Sequence, residues 1–208
     1  MSGQVTRHQE SSRYAEKRRK ILLAGEELFS SHRYDEITME AIALRAGVGK
    51  GTLYRYFPSK ESLLHSILQS GHDDLVASIQ SVSEGSGSFV EKLELVSHRI
   101  VESHERRHPL FHMTMGLSRR VSSRSGSGDA SNRRAEFQRN IDSMLSALSS
   151  IFSSGLSEGV LREGYSARAL SMCFMDLMHG WCRSRCVLGE DGLSLSGVVG
   201  LFCRGVMR

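Results

Sequence analysis

The sequence has few of the residues that interrupt helices or cross-link chains. Only two prolines occur among 208 residues, aromatic residues make up 7%, and the four cysteines are all at or after Cys173. Because proline breaks helices, this composition suits a mainly helical protein. No run reaches the roughly 18 apolar residues of a membrane span, and the polar N-terminus lacks the apolar segment of a secretory signal. We therefore expect neither, and a cytoplasmic location follows by default.

Positive charge is concentrated at one end of the chain. Residues 1–60 contain 11 Lys and Arg against 7 Asp and Glu, whereas residues 61–208 contain 16 of each sign. A solvated surface often carries an excess of this size, so charge alone does not identify a nucleic-acid-binding protein. Its location at the N-terminal end is the informative part.

Residues 38–60 read as two short helices joined by a tight turn. Thr38 is a suitable N-cap for the first helix, and Ala43 is small where two helices must approach. Gly47 can adopt the left-handed conformation at the corner, and Leu53 falls where the second helix packs on the first. This is the layout of a helix-turn-helix, which presents its second helix to the major groove of DNA.

This segment resembles the DNA-binding segment of TetR-type regulators. The similarity lies in GVGKGTLYRYFPSKE at 47–61, preceded by YDEIT at 34–38, and it covers residues 17–68. The resemblance implies an all-α homodimer in which three N-terminal helices bind DNA and a fourth links them to a larger helical domain. It also implies that a small-molecule effector in that domain releases the operator.

The sequence departs from this pattern at Arg33, where glycine usually ends helix one. A non-glycine residue in a left-handed cap costs about 1 kcal/mol, so we expect this corner to close differently.

We predict an all-α protein with about nine helices and three regions. A flexible polar arm is expected at 1–14, a three-helix helix-turn-helix domain at 15–58, and a helical effector-binding and dimerisation domain at 59–208. Helix one is expected to begin near Ala15. Pro109 is expected to start a separate short helix, and the serine- and glycine-rich residues 119–134 to form a flexible loop.

The predicted DNA contacts divide by chemistry. Thr52, Tyr54 and Lys50 are candidates for reading base edges, and the glycines beside them let the backbone approach the duplex. The other candidates are expected to contact phosphates, although Tyr56 is equally compatible with a half-buried core position. The full predicted set is Lys17, Thr38, Gly49, Lys50, Gly51, Thr52, Tyr54, Arg55, Tyr56 and Lys60.

The basic run from Lys17 to Lys20 is expected to open helix one. There it would oppose the positive end of the helix dipole, and a nearby phosphate backbone would relieve that repulsion. A solvated cationic turn is the alternative for each residue.

The predicted partners are double-stranded DNA with a palindromic operator, a second copy of the chain and a small-molecule effector. A twofold dimer would set its recognition helices about 34–36 Å apart. In the resembled family the last two helices form a four-helix bundle with their copies, and an intrachain core is the alternative for some of the residues concerned. The predicted interface is Leu170, Phe174, Leu177, Trp181, Leu195, Val198, Val199 and Phe202.

Methionine and phenylalanine side chains of the C-terminal region suit an adaptable apolar effector pocket. Each is equally a candidate for ordinary core packing. The predicted pocket residues are Phe111, Met113, Met115, Met144, Met172 and Met175.

A metal- or thiol-sensing protein is the alternative function. His179, Cys182 and Cys186 share one helix face at i, i+3 and i+7, which suits zinc or an oxidant, yet the paired C-x-x-C loops of structural zinc sites are missing. His104, His108 and His112 recur every fourth residue, but Pro109 is expected to interrupt the helix they need. No enzymatic arrangement of nucleophile and base is recognisable, so we predict no catalysis, cofactor or metal.

Overall fold

The computed structural model describes residues 2–121, 127–188 and 192–208, with side chains for residues 12–107, 110, 113, 132, 134–185 and 192–208. Over these ranges the backbone forms eight α-helices and a 3₁₀ turn at Tyr34–Glu36. An isolated bridge between Leu161 and Met207 is the strand-like pairing found there. The all-α fold class is confirmed. The helices are α1 (Ser2–Ser31), α2 (Met39–Arg45), α3 (Lys50–Tyr56), α4 (Lys60–Glu84), α5 (Phe89–Val121), α6 (Ser127–Ser157), α7 (Ala167–Leu188) and α8 (Leu195–Val206).

The chain divides into two compact units. The N-terminal unit comprises Met1–Gly71 and Arg106–Arg124, and the C-terminal unit comprises His72–Glu105 and Ser125–Arg208. Helices α4 and α5 each contribute one end to each unit. None of the described helices combines the length and apolar character needed to cross a membrane.

Helix α1 starts earlier than the sequence suggested. Its backbone is helical from Ser2, so the predicted start near Ala15 is wrong. A helix exposed to solvent needs local hydrogen bonds and favourable side-chain pairs rather than an apolar period, and Glu16 and Lys20 form such a pair at 2.8 Å. The basic run from Lys17 therefore lies inside the helix, and the predicted conflict with the helix dipole does not arise.

Helix α5 runs without a break through Pro109. The two helices predicted on either side are one, which explains why eight helices replace the expected nine. Proline has no backbone N–H, so α5 lacks one hydrogen bond at Pro109. Packing at both ends of α5 offsets this loss, because Leu93 and Val96 are fully buried in the C-terminal unit and Leu110 is fully buried in the N-terminal one.

The predicted loop at 119–134 is wrong where the structure describes it. Helix α5 reaches Val121, and α6 begins at Ser127. Residues 122–126 lie outside the described part of the chain. The loop was predicted from polar composition, but each helix is anchored by apolar residues beyond this segment and extends into it by local hydrogen bonding.

The N-terminal unit has a core shared by its four helices and the end of α5. A methyl group on Gly25 of α1 would lie 2.8 Å from Ile67 Cδ1, so glycine permits the close approach of α1 and α4. This packing holds the short helices α2 and α3 in place. The buried residues are Ile21, Leu22, Phe29, Ile37, Met39, Ile42, Ala43, Leu53, Phe57, Leu63, Leu64, Ile67 and Leu110.

The C-terminal unit is built around four phenylalanines. Phe152 meets Phe89, Phe174 and Phe202 edge-on at centroid distances of 5.6, 6.0 and 5.9 Å. Such edge-to-face contacts add to the stabilisation from apolar burial.

The predicted dimer interface is mostly part of this core. Six of its residues are at most 9% exposed within a single chain, which favours the intrachain core that the sequence left open as their alternative. Their helical spacing marks an apolar face but does not say what covers it. The six are Leu170, Phe174, Trp181, Val198, Val199 and Phe202. Leu177 and Leu195 are half-buried against the same core, and for them an interface stays a prediction.

Candidate nucleic-acid interface

Helices α2 and α3 form the angular pair that the sequence predicts. The Thr38 hydroxyl accepts the N–H of Ala41 at 3.1 Å and so caps α2. Gly47 has φ of 66°, and the following Val48 N–H donates to Ala43 O at 3.0 Å. This left-handed glycine ends α2 and directs the chain into α3.

Helix α3 buries one face and exposes the other. Leu53 is fully buried and Phe57 is 3% exposed, whereas Tyr54 is 40% exposed. Gly51 and Arg55 are exposed, and Thr52 is half-buried. The helical projection from the sequence therefore agrees with the observed burial.

Gly49 and Gly51 lie at the start of α3. Gly49 has an ordinary φ of −69°, and Gly51 lies within a helix. A methyl group added to either would meet no atom within 4 Å. Gly49 is the N-cap of α3, a position that glycine suits, and the open space at both glycines leaves this side of α3 accessible to an external molecule.

Lys50 lies near two exposed side chains of its own unit. Its ammonium pairs with Glu40 of α2 and lies 6.0 Å from the Tyr54 ring centroid. Hydrogen bonding to Lys50 lowers the pKa of Glu40, and the same contact raises the pKa of Lys50. All of these groups are exposed, so the pair is weak and solvent-screened.

The end of α3 carries an aromatic and cationic cluster. The Tyr56 ring stacks on Tyr14 of α1 with centroids 4.5 Å apart, and the Arg55 guanidinium lies 5.9 Å from the Tyr56 centroid. Tyr56 is half-buried against the N-terminal core, as the alternative interpretation of this residue expects. Sequence reasoning missed Tyr14; the available signal was its spacing of seven residues from the buried Ile21.

Lys60 makes contacts within the protein that the sequence did not reveal. Its ammonium donates to the carbonyls of Tyr34 at 2.6 Å and Ile37 at 2.7 Å, and it lies 4.1 Å from the Tyr34 ring centroid. The Tyr34 hydroxyl in turn donates to Glu61 at 2.7 Å. The first turn of α4 thus holds the 3₁₀ turn that leads into α2. A phosphate contact by Lys60 stays a prediction.

The hydrogen bond between Tyr34 and Glu61 also connects the 3₁₀ turn to the first turn of α4. Burial, followed by the contact with Glu61, raises the pKa of Tyr34, while the Tyr34 hydroxyl bond lowers the pKa of the Glu61 carboxyl. At neutral pH the pair is therefore a neutral phenol donating to a carboxylate.

The corner at Arg33 closes without a left-handed residue, which confirms the expectation. Arg33 has φ of −70° and ψ of 143°. Its N–H donates to Glu36 Oε2 at 3.3 Å, and the Ser31 hydroxyl donates to Glu27 O at 2.7 Å. Side-chain capping replaces the glycine conformation of the family pattern.

The described residues of the predicted effector pocket belong to both units, and the pocket stays a prediction. Met113 packs against the N-terminal core, whereas Met144 and Met175 are buried in the C-terminal core, and Met172 is 40% exposed. The side chains of Phe111 and Met115 lie outside the described residues. These residues were grouped by residue type, methionine or phenylalanine, and residue type does not specify a common location.

The predicted metal or thiol face is split. His179 is exposed, whereas Cys182 is 5% exposed in the C-terminal core, and the Cys186 side chain lies outside the described residues. Among described side chains, no group of three His, Cys, Asp or Glu residues is placed to hold a metal ion. The described pair therefore gives no support to a metal site, and a thiol-sensing role stays untested. His108 and His112, like Cys186, have side chains outside the described part.

Comparison with known proteins agrees with this geometry. A profile described as bacterial regulatory proteins, tetR family, matches residues 21–67. The HTH-type transcriptional repressor KstR of Mycolicibacterium smegmatis is 27% identical over 172 residues, covering 82% of this chain and 78% of that protein. KstR of Mycobacterium tuberculosis is 51% identical over 53 residues, covering 26% of this chain but only 24% of that protein.

Solved structures share the fold across most of the chain. A putative TetR-family transcriptional regulator from Mesorhizobium loti has a TM-score of 0.70 at 22% identity, covering 93% of this chain and 98% of that one. The regulator FadR of Bacillus subtilis, solved in complex with stearoyl-CoA, has a TM-score of 0.60 at 19% identity, covering 89% and 95%. Sequence similarity is thus highest in the helix-turn-helix, while the fold extends beyond it.

Proposed function

Because the chain is a TetR-type transcriptional regulator, we propose that it represses transcription by binding a palindromic operator as a homodimer until a small-molecule effector releases it. The observation that supports this most directly is the exposed face of α3. It combines two glycines at which a methyl group would meet no atom of the protein with Tyr54 and Lys50, on a helix whose opposite side buries Leu53 and Phe57. Proteins of this family are generally non-enzymatic, and we propose that this one acts on DNA in the cytoplasm without catalysis.

The proposed contacts follow the positions of the side chains. Thr52 and Tyr54 face the bases, and Gly49 and Gly51 let the helix backbone approach the groove floor. Lys50 exchanges Glu40 for the duplex, because an exposed pair is readily replaced. The proposed phosphate contacts are Lys17, Thr38, Arg55, Tyr56 and Lys60.

The proposed dimer surface is the outer face of α7 and α8 rather than their buried face. Leu201 is 54% exposed, Met172 is 40% exposed, and Cys173 is exposed beside it. Methyl groups on Gly180 and Gly205 would meet no atom within 4 Å, so these helices can be approached closely. Apolar side chains with small residues suit packing of helices from two copies.

Release requires that the effector prefer one dimer geometry, since equal binding to two geometries shifts no equilibrium. Helices α4 and α5 each continue from one unit into the other. They are the proposed elements through which occupancy of the C-terminal unit changes the separation of the two α3 helices.

The test is selection of genomic DNA fragments by the purified full-length protein, followed by mobility shift on the selected fragment. We expect Tyr54→Ala to weaken binding at least tenfold, because a base contact carries about 1–3 kcal/mol of discrimination. Tyr165→Ala is the matched control, since Tyr165 is a similarly exposed tyrosine in the C-terminal unit. Absence of any selected fragment at low salt, or equal binding by the two variants, would overturn the proposal.

A further inference from the structure

Helix α1 extends well beyond the segment that matches the family. The family match begins at residue 21, whereas α1 is helical from Ser2. The side chains of this extension are described from residue 12 onward. About two helical turns with described side chains therefore precede the matched domain, and Lys17 is the residue among them that has a role in the proposed function.

The extension is joined to α3 by stacking. Tyr14 is 52% exposed, yet its ring lies on Tyr56 with an angle of 26° between the planes and centroids 4.5 Å apart. One turn further along, the Arg18 guanidinium lies 5.6 Å from the Phe57 ring centroid. Two successive turns of α1 thus contact the residues that end α3.

The same turns carry exposed positive charge. Arg13 and Lys17 are exposed and four residues apart, which places them on one side of the helix next to Tyr14. Glu16, the acidic residue among the described side chains of these turns, forms an ion pair with Lys20 at 2.8 Å. The side of α1 that borders the end of α3 is therefore cationic and extends the charge of Arg55.

We propose that the first turns of α1 bind the sugar-phosphate backbone beside the bases that α3 reads, through Arg13 and Lys17, and that Tyr14 is the positioning residue. This inference rests on the proposed function, because it assumes that α3 enters the groove. Duplex DNA is the ligand that fits this side of α1, because Arg13 and Lys17 are one helical turn apart and can each pair with one of the regularly spaced phosphates. The stack on Tyr56 sets the direction in which α1 leaves α3, and hence its course along the duplex.

The phosphate contacts of Arg13 and Lys17 are tested by the salt dependence of operator affinity. Each phosphate contact contributes about 0.9 to the slope of log affinity against log salt. Arg13→Gln/Lys17→Gln should reduce the slope by roughly 1.8, so that between 50 and 200 mM salt the wild type loses about tenfold more affinity than the variant. Arg13→Gln alone should account for about half of the change.

Arg134→Gln/Arg139→Gln is the matched control. It removes the same charge from exposed positions of α6 in the C-terminal unit. An equal fall in slope for both double variants would show an effect of net charge and overturn the proposal. An unchanged slope for the α1 variant would overturn it as well.

The positioning part is tested at Tyr14. Tyr14→Ala should weaken operator binding several-fold, and Tyr14→Phe, which keeps the stacked ring, should restore it. A merely structural role would lower thermal stability in parallel with affinity, so thermal unfolding of the N-terminal unit is measured on the same samples. Equal binding by Tyr14→Ala and wild type, or loss of affinity explained fully by unfolding, would reject this role.

Failure of this inference differs from failure of the proposed function. If wild type selects an operator but the α1 variants bind it with unchanged slope and affinity, only the role of α1 is lost. If wild type selects no DNA, the proposed function itself fails.

Discussion

At the scale of single residues, Lys60 shows how a contact inside the protein changes the interpretation of a basic residue. Its ammonium has three N–H donors, and two of them bind the carbonyls of Tyr34 and Ile37. Those carbonyls belong to the 3₁₀ turn and the residue after it, where the chain enters α2. The sequence predicts a phosphate contact, and the structure adds a second role that a stability measurement can separate from it.

We predict that Lys60→Met lowers the free energy of unfolding by about 1–3 kcal/mol, because two carbonyls lose a charged donor while the apolar stem is kept. Chemical denaturation measures this. Lys20→Met is the control, since Lys20 is 59% exposed and should change stability by less than about 0.5 kcal/mol. A phosphate contact would appear separately, as a reduction of about one in the salt slope of operator binding; equal stability of the two variants would contradict the positioning role.

Gly51 gives a prediction with opposite effects on stability and binding. Replacing a helical glycine by alanine stabilises by up to about 1 kcal/mol, and here the new methyl group meets no atom of the protein. Gly51→Ala should therefore raise the unfolding temperature and weaken operator binding, because the methyl group holds the backbone away from the groove. Calorimetry and mobility shift measure the two effects. Unchanged affinity would exclude close backbone approach at this position.

At the scale of helices, α5 contributes to the N-terminal unit through a partly buried ion pair. Arg107 Nε lies 3.7 Å from Glu26 Oε1 of α1, with side chains 12% and 21% exposed. The guanidinium passes directly over Gly71 of α4, where a methyl group would lie 1.8 Å from Arg107 Nε. Glycine at position 71 thus makes room for a contact among three helices of this unit.

We predict that Gly71→Ala destabilises the protein by about 1 kcal/mol, because overpacking costs about 1–3 kcal/mol and the gain in helix propensity returns only part of it. The displaced Arg107 should leave Glu26 in a poorly solvated position. Chemical denaturation measures the change, and Gly51→Ala is the matched control with the opposite sign. A stabilising Gly71→Ala would show that Arg107 moves aside without cost.

At the scale of the whole molecule, the apolar residues of α7 and α8 lie on two sides of these helices. The inward residues, including Phe174 and Phe202, form the C-terminal core, whereas Leu201 and Met172 point outward. The sequence shows that both helices are apolar, and a phenylalanine centroid distance of 5.2 Å between Phe174 and Phe202 shows which side is already occupied. The dimer surface is therefore proposed for the residues that the single chain leaves exposed.

We predict that Leu201→Glu shifts the protein from dimer to monomer while the helical circular dichroism is kept, because the charge enters the proposed interface but not the core. Sedimentation measures the assembly. Leu95→Glu, at a leucine of α5 that is 45% exposed, is the control and should leave the dimer intact. A dimer unaffected by Leu201→Glu would place the interface elsewhere.

The sequence by itself determined the helix-turn-helix, because its signals are local. The cap at Thr38, the left-handed Gly47 and the buried positions Leu53 and Phe57 depend on neighbours within a few residues. The same local rules identified Arg33 as a corner that closes without glycine. The backbone geometry of a short segment is set largely by such nearby groups, so the pattern is sufficient.

Only the tertiary structure decided the partners of Lys60 and Tyr14, the continuity of α5 through Pro109 and the side of α7 and α8 that is buried. Lys60 meets carbonyls 26 and 23 residues away, and Tyr14 stacks on an aromatic ring from another helix. Periodicity shows that a helix has an apolar face but not which element covers it, because burial depends on the packing of segments that are distant in the chain.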